Sequence, residues 1–280
     1  MLEELSTLET VLITGCSSGI GLRSAERLRD AGYRVLASAR QSADVERLQQ
    51  LGFEAHPLDL DCSDSIAQAV AWVVERCDGQ LDAVFHNGAY GQPGALEDLS
   101  REALRQQFET NLFGWHELTC AVIPLMRARG RGRIVLNSSV LGLVCMPYRG
   151  AYNASKFALE AMADTLRMEL NGSGIEIVLI EPGPIDSRFR ENARRAFLRY
   201  IDPQRSHHAQ AYAEMDARLT KPGLSGRFTL PADAVADKLL AALQARRPKT
   251  RYYVTTPTYL FAFLKRVLPT TLLDRILSRG

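Results

Sequence analysis

Short runs of β-branched and aliphatic residues alternate along the chain with longer segments in which apolar residues recur every three or four positions. The first run, 11–14, leads into a cluster of glycines, and a strand-like run at 34–38 follows later. Between them, apolar residues stand at helical spacing at Leu22, Ala25, Leu28 and Ala31. This order predicts a strand, a helix and a second strand, and a crossover of that length makes the two strands parallel.

The same alternation continues as far as residue 180. It predicts further strands at 53–57, 81–86, 133–137 and 175–180, and helices at 43–51, 64–77, 100–128 and 151–170. The stretch 100–128 is expected to break near Pro124, because proline removes a helical hydrogen bond. Strands that alternate with helices are typical of a parallel sheet covered on both faces. Since no repeat or low-complexity linker intervenes, we expect one domain.

The pattern weakens after Pro182. Residues 184–230 are polar and irregular apart from one amphipathic segment at 188–200, whose apolar face holds Phe189, Ala193, Phe197 and Tyr200. That segment is either a mobile lid or a surface helix packed on the body. We therefore divide the single domain 1–280 into a core, a lid region, and a C-terminal part with a helix (231–246), a last strand (251–255) and an apolar, basic tail (257–279). These parts span 8–187, 188–230 and 231–280.

Composition sets the broad class of protein. The chain has 280 residues, of which 46% are hydrophobic and 24% charged, and its net charge of +2 gives no reason to expect a nucleic-acid partner. Five scattered cysteines lack metal-ligand spacing, so we expect reduced thiols, no metal site and a cytoplasmic protein. The acidic segment 1–10 does not resemble a secretory signal, and no apolar stretch reaches the ~20 residues that a membrane-spanning helix needs.

A glycine-rich loop joins the first predicted strand to the first helix. Gly15, Gly19 and Gly21 permit a tight turn and close approach of a ligand, and the helix that follows offers free N–H groups to a pyrophosphate. An ordinary tight turn is the alternative, but the position between strand and helix favours nucleotide binding. The expected fold is therefore α/β, a single-domain Rossmann-type doubly wound parallel sheet with helices on both faces and a C-terminal substrate lid region.

The end of the second predicted strand indicates which dinucleotide is preferred. Folds that bind NAD carry a carboxylate roughly twenty residues after the glycines, and here Ala39 and Arg40 take that place. A guanidinium can pair with a 2′-phosphate, so we expect NADP(H) rather than NAD(H), with a hydroxyl contact from Ser38. Arg40 as a solvated charge is the alternative. Asp59, after the third strand, suits either an adenine contact or a turn.

Tyr152 and Lys156 lie one turn apart on the predicted helix 151–170 and so share a face. A free tyrosine titrates near ~10, and a neighbouring ammonium favours the phenolate and lowers that pKa, which makes an acid–base group. Ser138 and Ser139 follow a strand at the edge of the sheet where ligands bind, so a serine there can orient a substrate oxygen. Asn111 either takes part in this site or is a satisfied core asparagine.

Taken together, these residues resemble the short-chain dehydrogenase/reductase family. The shared motifs, in the family's order across 11–187, are Thr14-Gly-x-x-x-Gly-x-Gly21, Asp59, Asn87-Gly-Ala89, Asn111, Ser139, Tyr152-x-x-x-Lys156 and Pro182-Gly183. The glycine loop and the segment 152–159 are especially similar to the 17β-hydroxysteroid and retinol dehydrogenase branch. The resemblance implies an oxidoreductase that acts on CH–OH groups with NAD(P) as acceptor.

The resemblance also implies roles for individual residues. Tyr152 would be the general acid–base and Ser139, rather than Ser138, would hold the substrate oxygen, while Lys156 would lower the tyrosine pKa and bind ribose. Asn111 would hold a water of a proton relay. The implied cofactor contacts are Gly15, Ser17, Ser18, Gly19, Ile20, Gly21, Ser38, Arg40, Asp59, Leu60, Asn87, Gly88, Tyr152, Lys156, Pro182, Gly183, Ile185 and Ser187. Two positions depart from the family pattern: His86 replaces a more frequent asparagine, and Ser187 a threonine.

Apolar residues after the strand end and in the lid indicate the kind of substrate. Leu141, Cys145 and Phe189 are expected to line the substrate site with Ser139 and Tyr152, which favours a steroid-, retinoid- or lipid-like ketone, aldehyde or alcohol. An NADPH-binding regulator without catalysis, and an epimerase or dehydratase on the same scaffold, stay open as alternatives. The family suggests a homodimer or homotetramer. The tail can cover the pocket, pack on a second subunit or contact a membrane surface.

Overall fold

The computed structural model describes residues 9–220, 223 and 226–278. The acidic segment 1–8, residues 221–222 and 224–225 of the predicted lid region, and tail residues 279–280 lie outside the described residues. The strands of the described part are β1 (Thr10–Ile13), β2 (Arg34–Ala39), β3 (Glu54–Pro57), β4 (Ala83–His86), β5 (Gly132–Asn137), β6 (Ile175–Glu181) and β7 (Arg251–Tyr253). Its helices are α1 (Gly19–Asp30), α2 (Ser42–Gln50), α3 (Ser63–Cys77), α4 (Arg101–Phe108), α5 (Gly114–Arg129), α6 (Gly150–Glu169), α7 (Phe189–Tyr200), α8 (Ala209–Thr220), α9 (Asp233–Gln244), α10 (Thr256–Val267) and α11 (Thr270–Leu277).

The strands form one sheet whose strand order creates a ligand crevice. Within the described residues the sheet has seven strands in the order β3-β2-β1-β4-β5-β6-β7, and every neighbouring pair is parallel. The order reverses between β1 and β4, and a crevice opens outside the carboxyl ends of the strands at such a switch point. The predicted doubly wound parallel sheet is confirmed, and the crevice is where the site is to be sought.

Helices cover both faces of the sheet. One core cluster joins α1, α2 and α9 to the sheet through side chains such as Leu28 and Leu239. The other joins α3, α5 and α6 through side chains such as Trp115 and Leu159. Within β1, Leu12 faces the second cluster while its two neighbours face the first. Because both faces are buried, the strands are held rigidly and position the loops at their carboxyl ends.

Two helical predictions need correction. The break near Pro124 is wrong, because α5 continues through Pro124; the irregularity lies earlier, in the π-helical segment Glu109–Phe113. Packing of the buried face of α5 offsets the hydrogen bond that the proline removes. The region 184–230 was expected to hold one amphipathic segment, but it forms α7 and also α8. The pattern of α8 is weak because its buried side chains are few, Tyr212 and Met215.

The lid region packs against the body of the protein. Phe197 and Ile201 at the end of α7 form a small core with Tyr212 and Met215 of α8 and with Ala95 of the loop after β4. Of the two interpretations of the amphipathic segment, the packed surface helix agrees with this arrangement. The predicted apolar face of α7 is thus largely an internal contact.

The C-terminal tail folds back on the same chain. It forms α10 and α11, whose inner side places Phe261 and Leu277 against Val140 and Leu141, just beyond β5. The tail therefore covers a loop of its own chain. Its outer side leaves large apolar side chains exposed: Tyr259, Leu260, Phe263, Val267, Leu272 and Ile276. Among the described residues, no helix combines the length and the hydropathy needed to cross a bilayer.

Candidate active site

The glycine loop is shaped by contacts that leave no room for side chains. Gly15 and Gly19 have φ of +72° and +55°. A Cβ on Gly15 would lie 2.6 Å from the Cα of Gly88, and one on Gly21 would lie 2.2 Å from the carbonyl oxygen of Gly15. The loop leads into α1, which has no acidic residue in its first turn. Its free N–H groups therefore face no competing carboxylate and suit an anion.

A hydrogen-bond network fixes this loop to the ends of β4 and β5. The Thr14 hydroxyl accepts bonds from the N–H groups of Asn87 and Gly88, both at 2.9 Å. The Asn87 amide donates to the carbonyl oxygens of Thr14 at 3.1 Å and Gly15 at 3.2 Å. Asn137, at the end of β5, donates to the Asn87 side-chain oxygen at 2.9 Å. The floor of the crevice is thus preorganised by side chains from three strands.

The arrangement fits a dinucleotide. The absent glycine side chains leave a backbone cradle, and a Cβ on Gly19 would come within 2.9 Å of Ser187, which places the loop after β6 beside the glycine loop. The structure brings the predicted cofactor residues to strand carboxyl ends, in the loops or helix starts that follow: Gly15, Ser17, Ser18, Gly19, Ile20 and Gly21 after β1, Arg40 after β2, Asp59 and Leu60 after β3, Asn87 and Gly88 after β4, and Pro182, Gly183, Ile185 and Ser187 after β6. Ser187 keeps its hydroxyl near the N–H of Phe189, at 3.4 Å.

Two predicted cofactor residues have other partners. Ser38 is 1% exposed, and its hydroxyl donates to the carbonyl oxygen of Ile13 at 3.3 Å. The expected contact between this hydroxyl and a phosphate is therefore not supported, because the side chain points into the sheet. Asp59 accepts a bond from the N–H of Asp61 at 3.2 Å, which is the turn role weighed for it.

The sequence did not single out Arg47, which the structure places at the glycine loop. Its guanidinium donates to the carbonyl oxygen of Ser17 and pairs with Asp44 at 2.8 Å. Arg40 is exposed at the end of β2. The position of Arg47 depends on how α2 docks against the loop, and the local sequence pattern does not contain that information.

Tyr152, Ser139 and Lys156 meet at the carboxyl end of β5. Ser139 lies close enough to Tyr152 to act on its ionisation, and the Ser139 hydroxyl accepts a bond from the N–H of Leu141 at 3.1 Å. Lys156 is 1% exposed and donates to the carbonyl oxygen of Asn137 at 2.8 Å. Its Nζ lies 5.7 Å from the centre of the Tyr152 ring. The choice of Ser139 over Ser138 stays a prediction.

Burial is the largest cause of the pKa shifts of Tyr152 and Lys156. Desolvation raises the pKa of Tyr152 to about 12, while Ser139 and the charge of Arg149 lower it. Desolvation lowers the pKa of Lys156 to about 7, and Glu160 opposes that shift. The Lys156 ammonium is directed at the Asn137 carbonyl oxygen and is not among the groups that shift the pKa of Tyr152 here, so the expected lowering of that pKa by Lys156 is not seen. With its pKa raised, the phenol is protonated at neutral pH and can donate its proton.

Asn111 is a fully hydrogen-bonded core residue. It lies in the π-helical segment and donates to the carbonyl oxygen of Tyr90 at 2.8 Å, while its side-chain oxygen accepts from the Tyr90 N–H at 3.1 Å. A weaker contact reaches Ser155 at 3.4 Å. The side chain thus holds the segment after β4 in place. The implied water-binding role of its backbone stays a prediction.

The predicted substrate residues separate into two groups. The Phe189 ring packs edge-on to Tyr152 with 5.3 Å between ring centres, and Leu141 packs in the same apolar cluster as Tyr152. Cys145 instead lines a cavity of 560 Å³ between α6 and the end of α11, together with Phe157. Leu141 and Phe189 are therefore brought to the candidate active site, whereas Cys145 lies on its periphery.

Arg149 is a residue beside the site that the sequence did not reveal. It directly precedes α6, three positions before Tyr152, and is partly buried. Its guanidinium donates to the Met146 sulfur at 3.5 Å. Burial and the charge of Arg218 both lower its pKa, whereas Tyr152 raises it. No motif marks this position, because only the folded chain shows that Tyr152 and Arg218 are its electrostatic neighbours.

Comparisons with known proteins agree with this architecture. The profile of the family described as short chain dehydrogenase matches residues 9–197. An uncharacterized oxidoreductase, YbbO, of Escherichia coli is 45% identical over 96% of this chain and 94% of its own length. An NADPH-dependent 3-dehydrocapnine reductase of Ornithobacterium rhinotracheale is 31% identical over 95% of this chain and 94% of its own. Human 17-beta-hydroxysteroid dehydrogenase type 1 is 33% identical over 88% and 77%, respectively.

A solved structure shows the same fold. A short-chain dehydrogenase from Streptomyces avermitilis superposes with a TM-score of 0.78 at 28% identity, over 97% of this chain and 94% of that one. The similarity covers nearly the whole of both chains, so the fold described above is shared. The chain therefore belongs to the short-chain dehydrogenase/reductase family of oxidoreductases that act on CH–OH groups with a nicotinamide dinucleotide.

Proposed function

We propose that this protein is an NADP(H)-dependent oxidoreductase for a hydrophobic ketone, aldehyde or alcohol, with Tyr152 as the general acid–base. The observation that carries the proposal is that Tyr152, packed on the loop that follows Ser139, and Lys156, bonded to the Asn137 carbonyl oxygen, meet at the carboxyl end of β5, beside the crevice that the glycine loop lines. Apolar side chains surround the phenol, with Phe189 against its ring. Such a site excludes water from a reacting carbonyl while it leaves a proton donor in reach.

Each residue of the proposed active site has a separate role. Ser139 holds the substrate oxygen, and Tyr152 gives its proton to that oxygen during reduction and takes it back during oxidation. The nicotinamide, when bound, supplies or accepts the hydride. Lys156, fixed on the Asn137 carbonyl oxygen, offers its remaining ammonium donors to the ribose. Asn111 keeps the neighbouring segment in place and completes the proton path through its backbone.

Arg40 supports the preference for NADP(H). It is exposed just beyond β2 and no carboxylate occupies the position expected of an NAD-binding chain. The relative from Ornithobacterium rhinotracheale is described as NADPH-dependent. An Arg40→Met variant is expected to raise the KM for NADPH about tenfold or more, because a charge-assisted bond contributes roughly 1.5–3 kcal/mol. The KM for NADH should stay within twofold. Arg76→Met, far from the crevice, is the control for lost charge, and an unchanged KM for NADPH in Arg40→Met would contradict the preference.

A spectrophotometric panel tests the reaction itself. Steroid, retinoid, aliphatic aldehyde and quinone carbonyls are offered with NADPH and with NADH, and oxidation of NADPH by an apolar carbonyl is the expected result. If no carbonyl consumes NADPH although NADPH binds, the protein is better described as an NADPH-binding regulator. If substrate is converted without net consumption of cofactor, an epimerase or dehydratase on this scaffold is favoured.

The cellular setting and the assembly stay predictions. These are a cytoplasmic location, a homodimer or homotetramer formed through the helices that carry Asn111 and Tyr152, and contact of the tail with a membrane surface. The exposed outer side of α10 and α11 is compatible with either a second subunit or a lipid surface. Light scattering and sedimentation with anionic vesicles distinguish the two.

A further inference from the structure

Arg149, three positions before Tyr152, and its electrostatic neighbour Arg218 have no carboxylate partner in the described part of the chain. Arg149 directly precedes α6, and the contact described for its guanidinium is the Met146 sulfur at 3.5 Å. Arg218 projects from the last turn of α8 and forms no ion pair with a described residue. The charged and titratable groups that act on Arg149 are Arg218 and Tyr152 themselves. The partly buried Arg149 thus contacts Met146, which packs on the same apolar cluster as the proposed proton donor Tyr152, and the exposed Arg218 acts on Arg149 from α8.

Three arginines of α7 are engaged in local contacts. Arg194 pairs with Asp216 at 2.7 Å, and Arg195 pairs with Glu191 at 3.8 Å. Arg199 stacks over the ring of Tyr200 at 4.9 Å. The run of basic residues in α7 is thus used in local contacts, and the cationic pair of Arg149 and Arg218 stands apart from it.

A partly buried guanidinium without a counter-charge is costly. Its five N–H donors are poorly satisfied by a thioether sulfur, which is a weak acceptor. Partial desolvation and a second positive charge both disfavour the ionised form. Placed against a reaction centre, such an unneutralised group indicates a site that an anionic ligand completes. The guanidinium fork matches the two oxygens of a carboxylate, sulfonate or phosphate.

We propose that Arg149, assisted by Arg218, binds an anionic group of the substrate. The substrate is then an apolar carbonyl or alcohol that carries a carboxylate, sulfonate or phosphate a few bonds from the reacting carbon. Arg149 and Tyr152 are three residues apart at the start of α6, so the anion and the reacting oxygen lie along the same end of that helix. This inference rests on the proposed function, and it adds a recognition site to the apolar wall formed by Leu141 and Phe189.

Matched aromatic aldehydes test this site. Reduction of 4-carboxybenzaldehyde by NADPH is compared with that of its methyl ester, and the sulfonate and phosphate analogues identify the preferred anion. The wild-type protein should prefer the best anion over the ester. Arg149→Met should raise the KM for the anion at least tenfold and change the KM for the ester less than threefold. Arg149→Lys should give a KM for the anion between those of the wild type and Arg149→Met. Arg195→Met, which removes an equal charge from the lid, should change neither the KM for the anion nor the KM for the ester.

Other results would overturn the inference. No preference of the wild type for any anion, or an equal loss with acid and ester in Arg149→Met, removes the basis for anion binding. A shift of the pH profile of ester reduction in Arg149→Met would assign this arginine to the ionisation of Tyr152 instead. Calorimetric titration of the NADPH-loaded protein with 4-methylbenzoate and its methyl ester separates this inference from the proposed function, because it measures anion binding without turnover. Tighter binding of the acid in wild type, lost in Arg149→Met, supports the site; equal binding in wild type contradicts it.

Discussion

The buried imidazole of His86, at the centre of the sheet, makes the stability of the fold depend on pH. Its Nε2 lies 3.0 Å from the Thr119 hydroxyl, its Nδ1 has no partner among the described residues, and its ring stacks on Trp115 at 5.4 Å. Burial lowers the pKa of His86 from 6.5 to about 3. Below pH 6.5 the imidazole is therefore protonated in the unfolded chain but stays neutral in the folded protein. The free energy of unfolding consequently decreases as the pH falls below 6.5.

His86→Asn should make the protein less sensitive to acid. Linkage assigns to His86 a loss of about 2 kcal/mol in the free energy of unfolding between pH 7 and pH 5. Over the same pH interval, the free energy of unfolding of the variant should fall by about 2 kcal/mol less than that of the wild type. This difference does not depend on the stability of the variant at pH 7. Denaturant unfolding at the two pH values measures both differences, and equal losses in wild type and variant would show that His86 is not the titrating group.

The residues of the candidate site were predictable to different degrees. Tyr152 and Lys156 share a helix face, and Ser139 follows a strand, so general rules place them together. The direction of Lys156 towards Asn137 and the raised pKa of Tyr152 depend on burial, which local sequence does not determine. The sequence did not single out Arg149 for the same reason. Only the folded chain shows that its guanidinium is partly buried and has no carboxylate partner among the described residues.

At the scale of elements, α11 covers the loop that follows β5. Leu277 is 4% exposed and packs on Val140 and Leu141, whereas Ile276, its neighbour on the same helix, is 41% exposed. The tail is therefore a helix pair with an inner and an outer side. Its sequence predicted an apolar, basic segment but left open which side would be covered, because both sides are apolar.

Leu277→Ala should destabilise the protein and loosen the substrate wall. Truncation of a buried leucine costs about 2–5 kcal/mol, and this site at the end of the chain should lie near the lower limit. Ile276→Ala is the matched control and should cost about 0.5 kcal/mol or less. Thermal unfolding of both variants, with the KM for an apolar aldehyde, provides the measurement; equal destabilisation would contradict the inward packing of Leu277.

Tertiary packing, which the local sequence does not show, explains the elements that the sequence analysis missed. Pro124 is tolerated inside α5 because tertiary packing, rather than local propensity, holds that helix. The helix α8 was missed because it buries only Tyr212 and Met215 in a small cluster distant from the sheet. Strands and helices of the sheet were predicted well, since their full burial gives long apolar runs.

At the scale of the whole molecule, Arg251 ties the C-terminal part to the sheet and to α6. From β7 it pairs with Glu160 at 3.0 Å, Asp164 at 2.9 Å and Glu181 at 3.0 Å. Glu181 is completely buried, and burial together with Glu160 raises its pKa, whereas Arg251 lowers it. The guanidinium is therefore the counter-charge for carboxyl groups that the core otherwise disfavours.

Arg251→Met should be strongly destabilising. Removal of one partner leaves buried carboxyl groups uncompensated, which costs about 3–5 kcal/mol. Arg247→Met, at an exposed position shortly before β7, should change the free energy of unfolding by about 0.5 kcal/mol or less. Chemical denaturation of the two variants makes the comparison. A loss below about 1 kcal/mol in Arg251→Met would mean that the cluster does not hold the C-terminal part in place.

The site as a whole is assembled from distant parts of the chain. The glycine cradle follows β1, and Ser139 and Tyr152 lie at the carboxyl end of β5, whereas Phe189, Arg218 and the tail come from α7, α8 and the C-terminal helices. Under the proposed function, the first group carries the reaction and the second selects the substrate. This division explains why the sequence predicted the chemistry and left the substrate open.

The assignment of Tyr152 as proton donor is tested most directly by Tyr152→Phe, assayed for turnover and for NADPH binding in the same preparation. We predict that kcat for carbonyl reduction falls about a thousandfold or more, as expected when the acid–base group is removed, while the Kd for NADPH stays within about twofold because the glycine cradle is untouched. Turnover within tenfold of the wild type, at normal NADPH affinity, would contradict the account.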